Sequence, residues 1–308
     1  MNTAKARQSA ADALKAVTPL KARRYLVRGR LVARIKTASL RVLPDFVILG
    51  GQRCGTSSMY KYLGRHPQIA PSLRKETEYF TIDYDKGEAW YRAHFPLRAR
   101  RTVARRRGKP LLVFEATPDY LFDPRAPQRV AELLPDAKLV IMLRDPVERA
   151  YSHYHHNVRL GLEDLSFRDA IAAEDTRIAS DIEAMRLDPL DRVRNLRNYS
   201  YVSRGNYGEQ IARWLDVFDR DRFLFIIAED FFEHPGDSLH ALEEFVGVDT
   251  WSPPEFVNYS YTGGPTDGNP DLPVDLRLDL EQRFVSSHSD IESLTGISVP
   301  WNYGNQVT

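Results

Sequence analysis

The 308-residue chain has one cysteine, Cys54, so an internal disulfide is excluded and nothing calls for an oxidising compartment. Metal-ligand spacing is lacking as well. Cys54 stands alone, and His153, His155 and His156 have no cysteine beside them, so they read as the polar face of a solvated helix and no metal is expected. No apolar run approaches the roughly 20 residues that cross a bilayer, and no signal-peptide pattern precedes the first strand. These absences lead to the expectation of a cytoplasmic protein. One further gap is local: no Lys or Arg occurs between Arg222 and Arg277.

What is present suits a globular chain with a full core, since 43% of residues are hydrophobic and 28% charged. The net charge of +1 conceals two cationic blocks. Residues 1–43 carry eleven Lys/Arg and one acid, and residues 98–109 carry seven and none, leaving 25 bases against 41 acids elsewhere. Residues 1–44 read as a basic helical N-terminal extension with Val27, Leu31 and Ile35 at helical spacing and Pro19 dividing it. It could touch the inner face of an anionic membrane, or pack a few apolar residues on the body of the protein.

Short apolar runs at 45–49, 111–115, 138–143 and 222–227 read as strands buried on both faces. Helical patterns at 57–65, 127–134, 147–160 and 209–218 alternate with them. Strand–helix alternation predicts an α/β fold: a doubly wound, mainly parallel sheet flanked by helices. Ligand then belongs at the carboxyl ends of the strands, where Arg53, Glu115 and Arg144 fall. Residues 163–198 are charged and helical with a bend at Pro189, 252–275 form a long loop, 276–286 resume a helix, and Trp301 pins the end of the chain into the core.

The first strand runs into Gly50-Gly51-Gln52-Arg53-Cys54-Gly55-Thr56-Ser57-Ser58 and then a helix. A helix entered through such a turn aims unpaired N–H groups and the positive end of its dipole at the turn, which favours phosphate. The spacing approaches the nucleotide-triphosphatase loop G-x4-G-K-[ST], but Thr56 occupies the lysine position and the turn's one strong cation is Arg53. That pattern suits a single terminal phosphate carrying another group.

Gly51-Gln52-Arg53-Cys54-Gly55-Thr56-Ser57-Ser58 with Leu63-Gly64-Arg65-His66-Pro67 resembles the 5′-phosphosulfate loop of the sulfotransferases, in their heparan-sulfate-type and bacterial branch. A second matching element is the strand ending Leu143-Arg144-Asp145-Pro146, followed by a helix carrying Arg149 and Ser152. The resemblance spans about residues 45–302, so 45–308 is read as one sulfotransferase domain with a P-loop nucleotide-hydrolase-like fold. It implies 3′-phosphoadenosine-5′-phosphosulfate as donor, the corresponding bisphosphate as product, and no metal requirement. By the same resemblance Gly51, Gln52, Arg53, Cys54, Gly55, Thr56, Ser57 and Ser58 hold the 5′ end, and Arg144 and Ser152 the 3′-phosphate. Arg204, in Ser203-Arg204-Gly205-Asn206-Tyr207, helps hold the cofactor. Arg53 stands where the family usually has lysine, which keeps the charge but not a readily donated proton.

Lys75-Glu76-Thr77-Glu78-Tyr79-Phe80 resembles the family's Lys-Glu-x-x-Phe-Phe segment and puts Glu76 in the role of catalytic base, with Glu78 the weaker candidate. Arg149 reads as a structural ion-pair residue, and Glu115-Ala116-Thr117-Pro118-Asp119-Tyr120 resembles a further family segment, which implies that it lines the acceptor side. Heparan enzymes often carry lysine at Ala116 and a basic or imidazole residue at Glu78, and the later cofactor loop usually contains Lys-Gly where Thr262-Gly263-Gly264-Pro265 stands. The resemblance is therefore specific for the donor and poor on the acceptor, which could be a glycan, a lipid or a small molecule. Two other readings compete. A P-loop kinase acting on a small molecule would use Asp145 as its acid and require Mg-ATP. A non-catalytic protein would use the cationic blocks on a membrane or polyanion, but no aromatics interleave the cations of 98–109 and no nucleic-acid partner is expected.

Overall fold

The computed structural model describes residues 29–188, 193–257, 271–301 and 303. Five strands form one all-parallel sheet in the order β2-β3-β1-β4-β5. They are β1 (Phe46–Ile48), β2 (Ile69–Pro71), β3 (Leu112–Ala116), β4 (Lys138–Leu143) and β5 (Phe223–Ile227). Ile48 of β1 registers with Ala116 of β3 on one side and Val140 of β4 on the other. The chain thus leaves the central strand toward both edges, and the turn after β1 sits at the point where strand order reverses, the usual ligand crevice of such sheets.

The strands are apolar throughout because both faces are covered. Val47, Leu49, Leu139, Ile141 and Leu143 pack on one side with Tyr207, Ile211 and Trp214 of the helix Tyr207–Leu215. Phe46, Ile48, Val140 and Met142 pack on the other with Met59 and Leu63 of the helix Thr56–Leu63 and Leu242 of Pro235–Val246. Odd and even positions part cleanly, as a period of two requires. Each fully buried aliphatic here contributes about 1.5–3 kcal/mol, and Leu63→Ala would cost about 2–5 kcal/mol.

Local chemistry fixes the helix that follows β4. Asp145 caps Pro146–Leu160 by accepting from the Val147 and Glu148 amides, Pro146 fills its first position, and Gly161 ends it with φ of 68°. The four expected strands are all present. The fifth, β2, went unread because its apolar run is only Ile69-Ala70 before Pro71. The helix expected at 276–286 extends over Val274–Thr295, and Trp301 is buried near Tyr207, with ring centroids 6.1 Å apart. The described part of the basic leader packs on the body: Leu31 and Val42 are buried, and Arg41 donates to the Phe95 carbonyl at 2.8 Å. Pro19, Val27, Pro189 and Thr262-Gly263-Gly264-Pro265 lie outside the described residues.

Candidate active site

The turn after β1 is held from below. The Gly51 amide donates to the Met142 carbonyl of β4 at 2.9 Å, and Cys54 N to Gly51 O at 3.2 Å. Gly55 precedes the helix with φ of 87°, and a Cβ there would lie 2.9 Å from Phe232 and 3.0 Å from Phe231, so glycine is required twice over. No side chain caps the helix Thr56–Leu63. The Ser58 N–H is taken by the Gly55 carbonyl at 3.0 Å, which leaves the Thr56 and Ser57 N–H groups at the head of the helix as donors toward the turn. Thr56 and Ser58 are buried, whereas Gln52, Arg53 and Ser57 are partly open. The buried Cys54 thiol approaches the Tyr207 hydroxyl at 3.8 Å, and burial pushes it up to about 11, so it is an inert packing group.

Arg53 has φ of 73°, a left-handed conformation uncommon for a side-chain-bearing residue. Its Nε donates to Ser152 Oγ at 3.0 Å, across 99 residues of sequence. Arg144 Nη1 donates to the Arg53 carbonyl at 3.4 Å. Burial first, then Arg159 and Arg144, pulls the Arg53 guanidinium down to about 10. It remains charged near neutrality, in a crowd of like charge. The nearest carboxylate, Glu148, is 3.8 Å from Arg144 and is also held by Arg277. Such a cluster is incompletely neutralised and favours an anion.

Glu76 sits across the turn. Its backbone has φ of 60°, its N–H donates to the Ala116 carbonyl at 3.0 Å, and its half-open carboxylate accepts from Lys75. Among the described non-glycine residues, positive φ occurs at Arg53, Glu76 and Glu78. Backbone strain concentrates at functional turns, and here it falls on both residues expected to act in catalysis. Glu78 is committed elsewhere, to Arg197 at 2.5 Å.

Several readings of individual residues change. Glu115 does not line an open acceptor side. It is fully buried and accepts from the hydroxyls of Thr77, Tyr91, Thr117 and Tyr120, with its carboxyl raised by burial. Arg149 is no ion-pair residue: it is fully buried, donates Nη2 to the Tyr201 carbonyl, and leaves Nε and Nη1 without a hydrogen bond. The histidines are not a wet face. His153 is fully buried, and His155 and His156 are half-buried. Asp145, the acid that a kinase would use, is spent on the helix cap and on the Tyr303 hydroxyl at 2.8 Å.

Gln52, Arg53, Ser152 and Arg144 are thus brought together. Arg204 is not with them: it is buried, paired to Asp119 at 2.9 Å and stacked 4.6 Å over Phe122. Beside Gln52 lies a cavity of about 390 Å3 lined by His156, Asn157, Arg194, Arg197 and Asn198. His156 was missed by sequence reading. The available signal was its place one turn beyond Ser152 on the same helix face. Burial, with Arg53 and Arg159, lowers its imidazole below the ordinary value.

Among the described residues no group of three or more His, Cys, Asp or Glu could hold a metal, and no helix is long and apolar enough to cross a membrane. Comparison with known proteins gives this geometry a family. Human bifunctional heparan sulfate N-deacetylase/N-sulfotransferase 2 is 30% identical over 226 residues, 71% of this chain and 23% of its own length. Mouse heparan sulfate glucosamine 3-O-sulfotransferase 6 is 29% identical over 213 residues, 68% of this chain and 53% of its own. The chain spans about a quarter of the length of the first and half of the second. The crystal structure of a sulfotransferase from Alicyclobacillus acidocaldarius is 32% identical with a TM-score of 0.62, covering 84% of this chain and 98% of its own. The sulfotransferase domain model matches residues 43–258, and the chain belongs to the sulfotransferase family.

Proposed function

We propose that the chain transfers a sulfuryl group from 3′-phosphoadenosine-5′-phosphosulfate to a hydroxyl or amine of an acceptor by in-line displacement, with Glu76 as base. The observation that carries this reading is the contact between Arg53 and Ser152, which joins the turn after β1 to the helix after β4. The residues present fit the donor. The amides of the glycine turn and the Thr56 and Ser57 hydroxyls suit its 5′ end, and Arg144 with Ser152 its 3′-phosphate. When bound, the donor supplies an activated sulfuryl group on its 5′-phosphate.

The protein's own work is then positional and electrostatic. Arg53 holds a positive charge where the departing phosphate gains negative charge, and as a guanidinium it supplies charge and hydrogen bonds without giving up a proton. Glu76 takes the proton that the acceptor O–H or N–H loses as it attacks. Lys75 must release the Glu76 carboxylate when the acceptor arrives. His156, near neutrality an uncharged imidazole, can orient the acceptor in the cavity beside Gln52.

The acceptor is read as a carbohydrate, glycolipid or small molecule. Two of the relatives named above act, by their names, on heparan sulfate or its glucosamine. The cavity beside Gln52 has apolar walls at Ile82, Leu160, Leu162 and Val193 as well as its polar ones, so the same highly anionic polymer is not required. A cytoplasmic location is part of this reading, and cell fractionation checks it. The test of function is incubation with isotopically labelled donor and a panel of glycans, lipids and phenols, followed by mass spectrometry. Labelled sulfate on an acceptor is expected. Binding of the donor with no transfer to any class would leave only the cofactor fold.

A further inference from the structure

The opposite end of the sheet has a chemistry of its own. The amino ends of β1, β3 and β4 open onto a cavity of about 750 Å3, bordered by Phe46, Leu112 and Lys138 and by Arg98, Arg101 and Arg105 of the helix Arg98–Arg106. That helix buries none of its residues and carries five arginines without an acid. A polar helix normally relies on i,i+4 ion pairs, and Arg101 and Arg105 instead repel each other at that spacing. Successive residues advance by about 100°, which sends Arg98, Arg101 and Arg105 toward the cavity and Arg100, Val103 and Arg107 toward solvent.

The surrounding surface is apolar as well as basic. Val103 is 47% exposed, Leu97 40% and Leu40 59%. An antiparallel bridge between Arg41 and Leu97 and the bond from Arg98 Nε to the Arg41 carbonyl at 3.4 Å place Leu40, Leu97 and the start of the helix side by side. Arg101 is balanced by Asp45, whereas no acid pairs with Arg98 or Arg105 among the described residues.

We propose that this pole is a docking surface for an anionic phospholipid bilayer. Arg100, Arg106 and Arg107, exposed on the same side of the helix as Val103, meet headgroup phosphates, and Val103 enters the interface with Leu40 and Leu97 at its edge. Exposed aliphatic side chains among arginines fit a bilayer better than a nucleic acid, which would be met by stacking aromatics, and 98–109 contains none. The surface lies outside the leader's residues 1–28. It also lies a strand length, about 20 Å for β4, from the Arg53 turn at the other end of the sheet, so docking leaves the acceptor cavity open to water. The inference is independent of the acceptor and of the donor.

The test is co-sedimentation of the full chain with vesicles of phosphatidylcholine alone or with one-third phosphatidylglycerol. The chain should partition onto the anionic vesicles, and not onto the neutral ones, and high salt should release it. Arg100→Gln/Arg106→Gln/Arg107→Gln should lower the partition coefficient about a hundredfold. Val103→Ser, which removes the apolar contact without adding charge, should lower it about tenfold while leaving binding to soluble polyphosphate nearly unchanged. Thermal melting monitored by circular dichroism establishes that both variants are folded. Equal binding to neutral vesicles, or a triple variant that sediments like the parent chain, would overturn the proposal. So would a Val103→Ser variant with undiminished vesicle binding, which would make the surface a general polyanion site.

Discussion

The two ends of the sheet carry arginine in two physical states. At the carboxyl ends, Arg53 and Arg144 are half-buried, fixed by the Ser152 hydroxyl and by a backbone carbonyl, and Arg53 is held in a left-handed conformation. At the amino ends, Arg98, Arg100 and Arg105 are exposed on a helix with no buried residue. A guanidinium removed from water interacts strongly with the few groups near it and with a ligand placed among them. A solvated one acts mainly through the summed field of its neighbours and is screened by salt. The first arrangement serves recognition of one anion in one pose, and the second serves a surface.

Substitutions can break that contrast, and the largest effect is expected at Glu76. Glu76→Gln should lower turnover by about 10^2–10^4-fold while the affinity for adenosine 3′,5′-bisphosphate stays within a factor of about two. A fully active variant would remove Glu76 from the chemistry. Next comes Arg144→Ala, expected to weaken bisphosphate binding by about 1.5–3 kcal/mol, the scale of a charge-assisted bond. An unchanged dissociation constant would place the 3′-phosphate elsewhere. The same truncation at Arg100, on the solvated helix, should alter both stability and bisphosphate affinity by less than about 0.5 kcal/mol.

A pH titration of stability sharpens the comparison from the interior. His153 and His94 are buried, and burial lowers His153 well below 6.5 and His94 to about 3. A histidine depressed in the folded state takes up its proton more readily when unfolded. Its contribution is therefore intact above pH 6.5 and is lost as pH falls below that value. Between pH 6.5 and 5 His94 should remove about 1.5 kcal/mol of unfolding free energy, measured by urea denaturation, and His153 should add a loss of the same sign. His153→Gln should flatten that acid limb. A limb of unchanged slope would show that His153 is not held neutral.

Four strands were legible because their faces are covered, so apolar runs at β1, β3, β4 and the edge strand β5 stood out against charged surroundings. The short edge strand β2 offered no such run. The turn after β1 was legible because glycine and hydroxyl spacing is dictated by backbone geometry within a dozen residues. What escaped were properties set by distant partners. Glu115 and Arg149 are charged residues whose burial depends on the Tyr91 and Tyr120 hydroxyls and on the Tyr201 carbonyl. His156 joins the site only because its helix folds back beside Gln52, and Arg204 is drawn away by Asp119. A residue's type records its chemistry, whereas its burial and its partner come from the tertiary fold.

The most direct measurement is a calorimetric titration of the chain with adenosine 3′,5′-bisphosphate in the presence of a metal chelator, set against a titration with Mg-ATP. If the Arg53 turn and the Arg144–Ser152 pair grip one adenosine carrier, the bisphosphate binds one-to-one with a dissociation constant of about micromolar or below, and Mg-ATP gives no comparable heat. Absence of bisphosphate binding, or tighter binding of Mg-ATP, would contradict it.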